Sequence, residues 1–310
     1  NEGEILIDGI NVKDLSFNDL RKNIAMVSQD TYIFMGTVAD NIAYADENAT
    51  RAQVDLNAEK GLYVLTGSST PRRKGIMHSG TGRIVGLRMN TMSLYESGDS
   101  DGTISLKNIC DGKFVDVLTN TPDLEKLAYF IVRGGWPNNI NTNLNNCHIM
   151  PRAYMEGVIK EDLSKLDDEE VNYDTHKVKL LLKSLARNET TTASDSKLLS
   201  DIISVDKESM SRNTIAKYIQ ALDRLFLFNN QLPFGVGTRS SLRIKQMEKR
   251  HFADPAMAAA LLTLTPQKLL NDLNTFGFLF EALVERDLSI YADSFNGKLY
   301  HYQNYNNQEI

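Results

Sequence analysis

Apolar residues follow two different rhythms along this chain. In the first third they come in short runs of strand length. Glu4-Ile5-Leu6-Ile7-Asp8-Gly9 predicts a strand that turns at Asp-Gly, a dipeptide suited to the left-handed conformations of a type I′ turn. Asn11-Val12 begins the return strand. Ser16 is placed to cap a following helix, with Asp19 three residues on in place of the usual Glu. Ile24-Ala25-Met26-Val27 is a second apolar run, closed by Ser28-Gln29. Leu62-Tyr63-Val64-Leu65 is a third, ending in Thr66-Gly67-Ser68-Ser69 before the basic loop Pro71-Arg72-Arg73-Lys74.

After Trp136-Pro137 the period lengthens to that of a helix. Residues 138–147 contain six Asn and read as a loop. Tyr154, Val158, Ile159 and Leu163 then share one helical stripe. Val178, Leu181, Leu182 and Leu185 form the apolar face of a second helix, and Leu198, Leu199, Ile202 and Ile203 that of a third. Ser209 or Ser211 caps a fourth, in which Ile215, Ile219, Leu222, Leu225 and Phe226 face inward. In the tail, Phe278, Phe280, Leu283, Val284 and Leu288 are expected to make a core stripe, followed by the strand-like Leu299-Tyr300-His301-Tyr302-Gln303. The acidic run Asp167–Glu170 reads as a solvated helix start.

Composition narrows the class. In 310 residues, 42% are hydrophobic and 24% charged, which is globular and rules out a disordered, collagenous or coiled-coil chain. No apolar run approaches the length of about 18 residues that a membrane span needs. Cys110 and Cys147 belong to no CxxC pair and are expected to be free thiols in a reducing compartment, hence a cytoplasmic protein. The first residues are not those of a signal peptide, and the start at Asn1 suggests a fragment or a processed product. The net charge of −6 conceals an asymmetry. Residues 1–54 hold 4 basic against 9 acidic residues, and residues 177–250 hold 14 against 7. A basic segment therefore sits inside an acidic chain.

The strand, the Ile7-Asp8-Gly9 turn, Leu20-Arg21, the strand end at Gln29 and the Phe34–Tyr44 stretch "FMGTVADNIAY" come in one order. Residues 2–52 thereby resemble the nucleotide-binding domain of exporter-type ABC transporters. The resemblance implies that Gln29 is the Q-loop glutamine, which reaches Mg2+ and the attacking water. An amide offers an acceptor and two donors there without adding charge. The phosphate-cradling G-x-x-x-x-G-K-[ST] occurs nowhere in the chain.

From about residue 56 a second set of motifs takes over: "TGSS" at 66–69, "SGTGRI" at 79–84, "RGGWP" at 133–137, "LLKSLARN" at 181–188, "SRNTIAKYIQALDRLF" at 211–226 and "FGFLFEALVERDL" at 276–288. These resemble bacterial and archaeal AAA-type ATPases that carry a C-terminal domain of unknown function. The resemblance implies that Thr66, Ser68 or Ser69 senses a γ-phosphate, although such a strand end also satisfies local backbone groups. It implies too that Arg83 faces phosphates, which suits a planar guanidinium; a surface arginine is the plain alternative. The "GTGR" turn is not a dinucleotide fingerprint, since no third glycine follows at the required spacing.

Residues 177–228 resemble a winged helix-turn-helix. Arg212, Asn213, Lys217 and Gln220 would then point outward from the recognition helix, and these residue types contact phosphates and base edges. A protein-binding winged helix with a solvated basic face is the alternative. The tail resembles the start of a nuclease-like core with Glu281 as its helix carboxylate, but the further carboxylates that metal-dependent hydrolysis needs are missing.

The expected architecture is α/β: a partial P-loop NTPase N-terminal region, then a helical and winged-helix region, then a truncated α/β tail. The expected divisions are 1–54, an ABC-type fragment; 55–135, the C-terminal part of an AAA-type core; 136–250, helical and winged helix; and 251–310, nuclease-like. By resemblance the parents bind ATP and Mg2+, but without the phosphate loop this chain is expected to turn over little or no ATP. DNA or protein partners through the basic winged helix, a homo-oligomer, and a chimeric gene product are the further expectations.

Overall fold

The computed structural model describes residues 6–7, 10–14, 16, 86–114, 116–117, 119, 122–163, 166, 173–205, 210–235 and 247–302. The chain divides into two compact units, 1–70 and 71–310. In the first, β1 (Leu6–Ile7) pairs antiparallel with β2 (Ile10–Asn11), with Ile7 opposite Ile10. That register brackets the Asp-Gly dipeptide expected to turn. A 3-10 turn follows at Val12–Asp14, where the Asn11 side chain accepts the Lys13 N–H at 3.0 Å.

The second unit is helical. Its described helices are α1 (Leu106–Cys110), α2 (Leu124–Arg133), α3 (Ile149–Gly157), α4 (Thr175–Arg187), α5 (Asp195–Ile203), α6 (Arg212–Arg224), α7 (Pro255–Leu261), α8 (Pro266–Leu270) and α9 (Leu273–Asp293). Capping chemistry explains their starts. Asp123, Asp174, Ser194, Ser211, Asp254, Thr265 and Asp272 each accept a backbone N–H from the first turn of the helix they precede. Pro255 and Pro266 stand at the first helical position, where a missing N–H costs nothing.

The core is built around α7. All seven of its residues, "PAMAAAL", are buried, and it packs against α2, α3, α4 and α9. Four alanines in seven residues let four neighbours approach closely. α2 buries Ala128, Phe130, Ile131 and Val132 against α7 and α8. α3 runs on through a π-helical turn, Val158–Asp162, that keeps Val158 and Ile159 buried. The expected loop at 138–147 contains a buried Asn139, whose side-chain amide donates to the carbonyls of Arg133 and Cys147 at 2.7 Å each. Both cysteines are free, and burial raises the Cys147 thiol to about 11.

Strands are few. β3 (Leu232–Pro233) pairs parallel with β4 (Tyr300–His301). Antiparallel bridges join Phe228 to Phe252 and Gln231 to Lys249.

One expected stripe turns out to be rotated. In α9 the buried residues are Phe276, Leu279, Ala282, Leu283, Arg286, Asp287 and Ala292. Of the five expected there, Phe278, Phe280 and Val284 are exposed. The reason is ionic: Arg286 faces inward to the buried carboxylate of Asp254, and Asp287 turns inward to Arg286 and the Leu94 N–H, which fixes the rotation of the helix. Ile203, at the end of α5, is likewise exposed.

The same ionic knot explains Arg133-Gly134-Gly135-Trp136. Asp254, fully buried, accepts from the Arg286 guanidinium (2.9 Å), the Thr91 hydroxyl (2.7 Å) and the Gly135 N–H (3.0 Å) on one oxygen. Its other oxygen caps α7 through Ala256 N–H (2.9 Å). Asp287 accepts from Arg286 (2.6 Å) and from Leu94 N–H (3.0 Å). Gly134 has φ 68°, and a Cβ on Gly135 would lie 2.2 Å from the Met92 carbonyl oxygen. Met92 cannot retreat freely, because its N–H donates to Gly135 O at 2.8 Å. Gly135→Ala is therefore expected to destabilise the unit by about 1–3 kcal/mol, read as a lower midpoint in urea. An unchanged midpoint would show that this approach is not tight in solution.

Candidate functional site

Among the described residues, 173–205, 210–235 and 247–252 hold a concentration of exposed functional groups. α4 packs on α5 and α5 on α6. α6 begins at Ser211, whose hydroxyl accepts the Thr214 N–H at 3.1 Å. It buries Ile215, Tyr218, Ala221 and Leu222. Arg212, Asn213, Lys217 and Gln220 are all exposed on the remaining surface of the helix.

The C-terminal end of α6 is held from outside. Phe226 has φ 58°, the left-handed position where glycine commonly ends a helix. The Leu227 N–H reaches back to Leu222 O (3.4 Å) and the Phe226 N–H to Asp223 O (2.9 Å). Arg88 donates to the carbonyls of Phe226 (2.8 Å) and Phe228 (2.6 Å), with its guanidinium 5.6 Å from the Phe226 ring centroid. A cation thus sits where the helix dipole is negative.

A charged cluster joins Glu189, Lys249, His251, Glu281 and Glu285. His251 lies 3.5 Å from Glu189 and 2.6 Å from Glu285. Lys249 bridges Glu285, at 3.2 Å, and Glu281. The Glu189 carboxylate also accepts the Phe252 N–H at 3.1 Å. Burial alone would lower the His251 pKa, but the two carboxylates outweigh it and lift it to about 9. Burial pushes Glu189 upward against the pull of His251. For Glu285 burial is outweighed by His251 and Lys249, which hold it down. A cavity of about 10 Å³ beside the cluster is lined by Glu189, Asn230, Arg250 and His251 with Leu185, Ile219, Phe228 and Phe252. That is room for about one water molecule.

The geometry is that of an ion-paired clamp. It ties the end of α4 to the 247–252 segment and to α9. Among the described residues no group of three or more His, Cys, Asp or Glu is arranged to hold a metal ion. Glu281, expected as a nuclease-type carboxylate, is paired with Lys249.

Gln29, Ser68 and Arg83 lie outside the described residues, as do Thr66 and Ser69. The charged cluster was not anticipated from sequence. Its one local signal is Glu281 and Glu285 at i, i+4 inside an otherwise apolar run, with Arg286-Asp287 directly after. Among the described residues no helix is long and apolar enough to cross a membrane.

A family model described as a domain of unknown function, DUF8612, matches residues 124–268. The chain is 45% identical over 53 residues to ABC transporter B family member 2 of Dictyostelium discoideum, covering 17% of this chain and 4% of that protein. It is 42% identical over 64 residues to an ATP-dependent lipid A-core flippase of Haemophilus influenzae, covering 21% of this chain and 11% of the flippase. It is 47% identical over 53 residues to the heterocyst differentiation ATP-binding protein HepA of a Nostoc species, covering 17% and 9%. The chain thus spans about a tenth or less of the length of these relatives. No solved structure matches it. A stretch of 53 to 64 residues of this chain is related to the ATP-binding proteins of ABC transporters.

Proposed function

We propose that the helical unit is the C-terminal part of an AAA-type ATPase-family chain and works as a winged-helix module that binds double-stranded nucleic acid. The observation that carries this is the exposure of Arg212, Asn213, Lys217 and Gln220 on one helix whose other face is buried. Three further features support it. α6 is the third of three consecutive packed helices, antiparallel bridges follow it, and residues 177–250 carry 14 basic against 7 acidic residues. Arg and Lys bind phosphate, and Asn and Gln read base edges.

Of the relatives named above, the flippase is ATP-dependent and HepA ATP-binding by name. The residues that resemblance assigns to ATP and Mg2+, namely Gln29, Ser68 and Arg83, lie outside the described residues, and the sequence contains no phosphate loop. We therefore assign no ATP-dependent step to this chain. A second reading, a composite gene product, is favoured by one fact: these ABC relatives align with 17–21% of the chain, while the model of unknown function covers 124–268.

Titration of the full chain against a fluorescent duplex tests the binding reading. Affinity is expected to rise steeply as salt is lowered, because cations that contact phosphates release condensed counterions. Absence of binding at low salt removes it.

A further inference from the structure

The same module carries a second row of cations. α4 exposes Lys179, Lys183 and Arg187, each four residues from the next, so all three lie along one face. Eight residues at 1.5 Å rise make a row about 12 Å long. Over that axial length one DNA strand presents about three or four phosphates.

What distinguishes this row is its lack of acidic partners. Other cations of the module are compensated: Lys177 by Asp174, Lys197 by Asp201, Arg250 by Asp195, and Lys249 by Glu281 and Glu285. Among the described residues, Lys179, Lys183 and Arg187 have no such ion pair, and neither do Arg212 and Lys217 on α6. Like charges at i, i+4 repel along a helix, so the row carries a cost that no ion pair among the described residues offsets. A polyanion would offset it.

The two sets are connected. The Tyr218 hydroxyl of α6 accepts the N–H of Asp174, the cap of α4, at 3.1 Å, and the Tyr173 and Tyr218 rings lie 5.4 Å apart. Lys217 immediately precedes Tyr218. The N-terminal end of the α4 row is therefore anchored on the helix that carries the α6 set.

We propose that Lys179, Lys183 and Arg187 form a phosphate-contacting row that binds the backbone of double-stranded nucleic acid alongside α6. This rests on the binding reading above and adds a surface to it. The row supplies affinity without sequence preference, because phosphates are the same at every step. α6 supplies the base-edge contacts.

The test uses the full chain in three forms: unaltered, K179Q/K183Q/R187Q, and R212Q/K217Q. Each is titrated against a fluorescent 20-base-pair duplex over a range of salt. Each phosphate contact contributes about −0.9 to the slope of log affinity against log salt. The α4 variant is expected to lose about 2–3 from that slope and at least tenfold in affinity at low salt, equally for unrelated duplex sequences. The single K183Q is expected to lose about 1, and serves if the triple variant does not fold.

If the α4 variant keeps the unaltered slope while R212Q/K217Q loses affinity, the row is overturned and α6 binding stands. If the unaltered chain binds no duplex at low salt, both fall. Equal affinity for a poly-glutamate peptide would overturn the assignment to nucleic acid.

Discussion

Asp254→Ala is expected to cost about 3–5 kcal/mol, the range for removing one partner of a buried ion pair. Asp254 is fully buried, and its two oxygens serve four donors. Alanine would leave the Arg286 guanidinium, itself buried, with Asp287 as its remaining carboxylate partner among the described residues. It would also orphan the Gly135 N–H and uncap α7. A lost cap typically costs about 1 kcal/mol, and an unsatisfied buried donor about 1–3. These costs fall on one cluster and do not add simply.

Against a typical total stability of about 5–15 kcal/mol, such a loss leaves a marginal protein. Asp254→Asn keeps an acceptor and should cost less. The double variant Asp254→Ala/Arg286→Met should recover part of the loss, since it removes the stranded charge together with its partner. Urea midpoints for the three variants decide the matter. A loss below about 1 kcal/mol for alanine would show that the knot is not tightly packed in solution.

The second large effect is a dependence of stability on pH. His251 titrates at 6.5 without its neighbours and at about 9 in the fold. A raised pKa means that the folded state holds the proton more tightly. The stabilisation is fully present below pH 6.5 and is lost as pH rises through 9. At 1.36 kcal/mol per unit, the loss is on the order of 3 kcal/mol. Glu285 acts in the opposite direction: its lowered pKa adds stability above about 4.5 that is lost on acidification.

Taken together, His251 and Glu285 should make stability greatest between about pH 4.5 and 6.5, while the raised pKa of Glu189 works against the fold as pH rises above 4.5. His251→Gln should remove the alkaline decline. Cysteine thiols of the unfolded chain also begin to titrate near pH 9, but they do so in both proteins, so the difference between the two isolates His251. Parallel urea titrations at pH 6 and pH 9 measure it. An equal decline in the variant would place the titration elsewhere.

The helices were the more legible part of the sequence, because their signals are local. Ser211 caps α6 as expected, and Val178, Leu181, Leu182 and Leu185 are buried together on α4. The exposure of Arg212, Asn213, Lys217 and Gln220 follows from the same period. α9 was misread because its inward face includes charge. A reading by hydrophobicity sends Phe278, Phe280 and Val284 to the core, whereas Arg286 and Asp287 occupy it. Nothing near Arg286 in sequence indicates that Asp254 will meet it.

The charged cluster was hidden for the same reason. Glu189, Lys249, His251 and Glu285 come from three separate segments, and each alone looks like an ordinary surface residue. Gly135 was visible as part of a motif, but the Met92 carbonyl that demands glycine there was not. The unaccompanied cations of α4 were countable in the sequence. Their distinction from Lys177 and Lys197 needed the positions of the acids.

The knot around Asp254 also has a timetable. Leu94 donates to Asp287, 193 residues further along the chain, and Thr91 to Asp254, 163 residues along. At a synthesis rate of roughly 5–20 residues per second, the 91–94 segment waits on the order of 10–40 s for its last partner to be made. For most of that interval α2 has been translated while α7, α8 and α9, the helices that cover its apolar face, have not all emerged. A nascent chain in this condition offers an apolar surface to whatever is nearby, so the yield of folded protein from a cell-free translation is expected to rise when chaperones are supplied during synthesis.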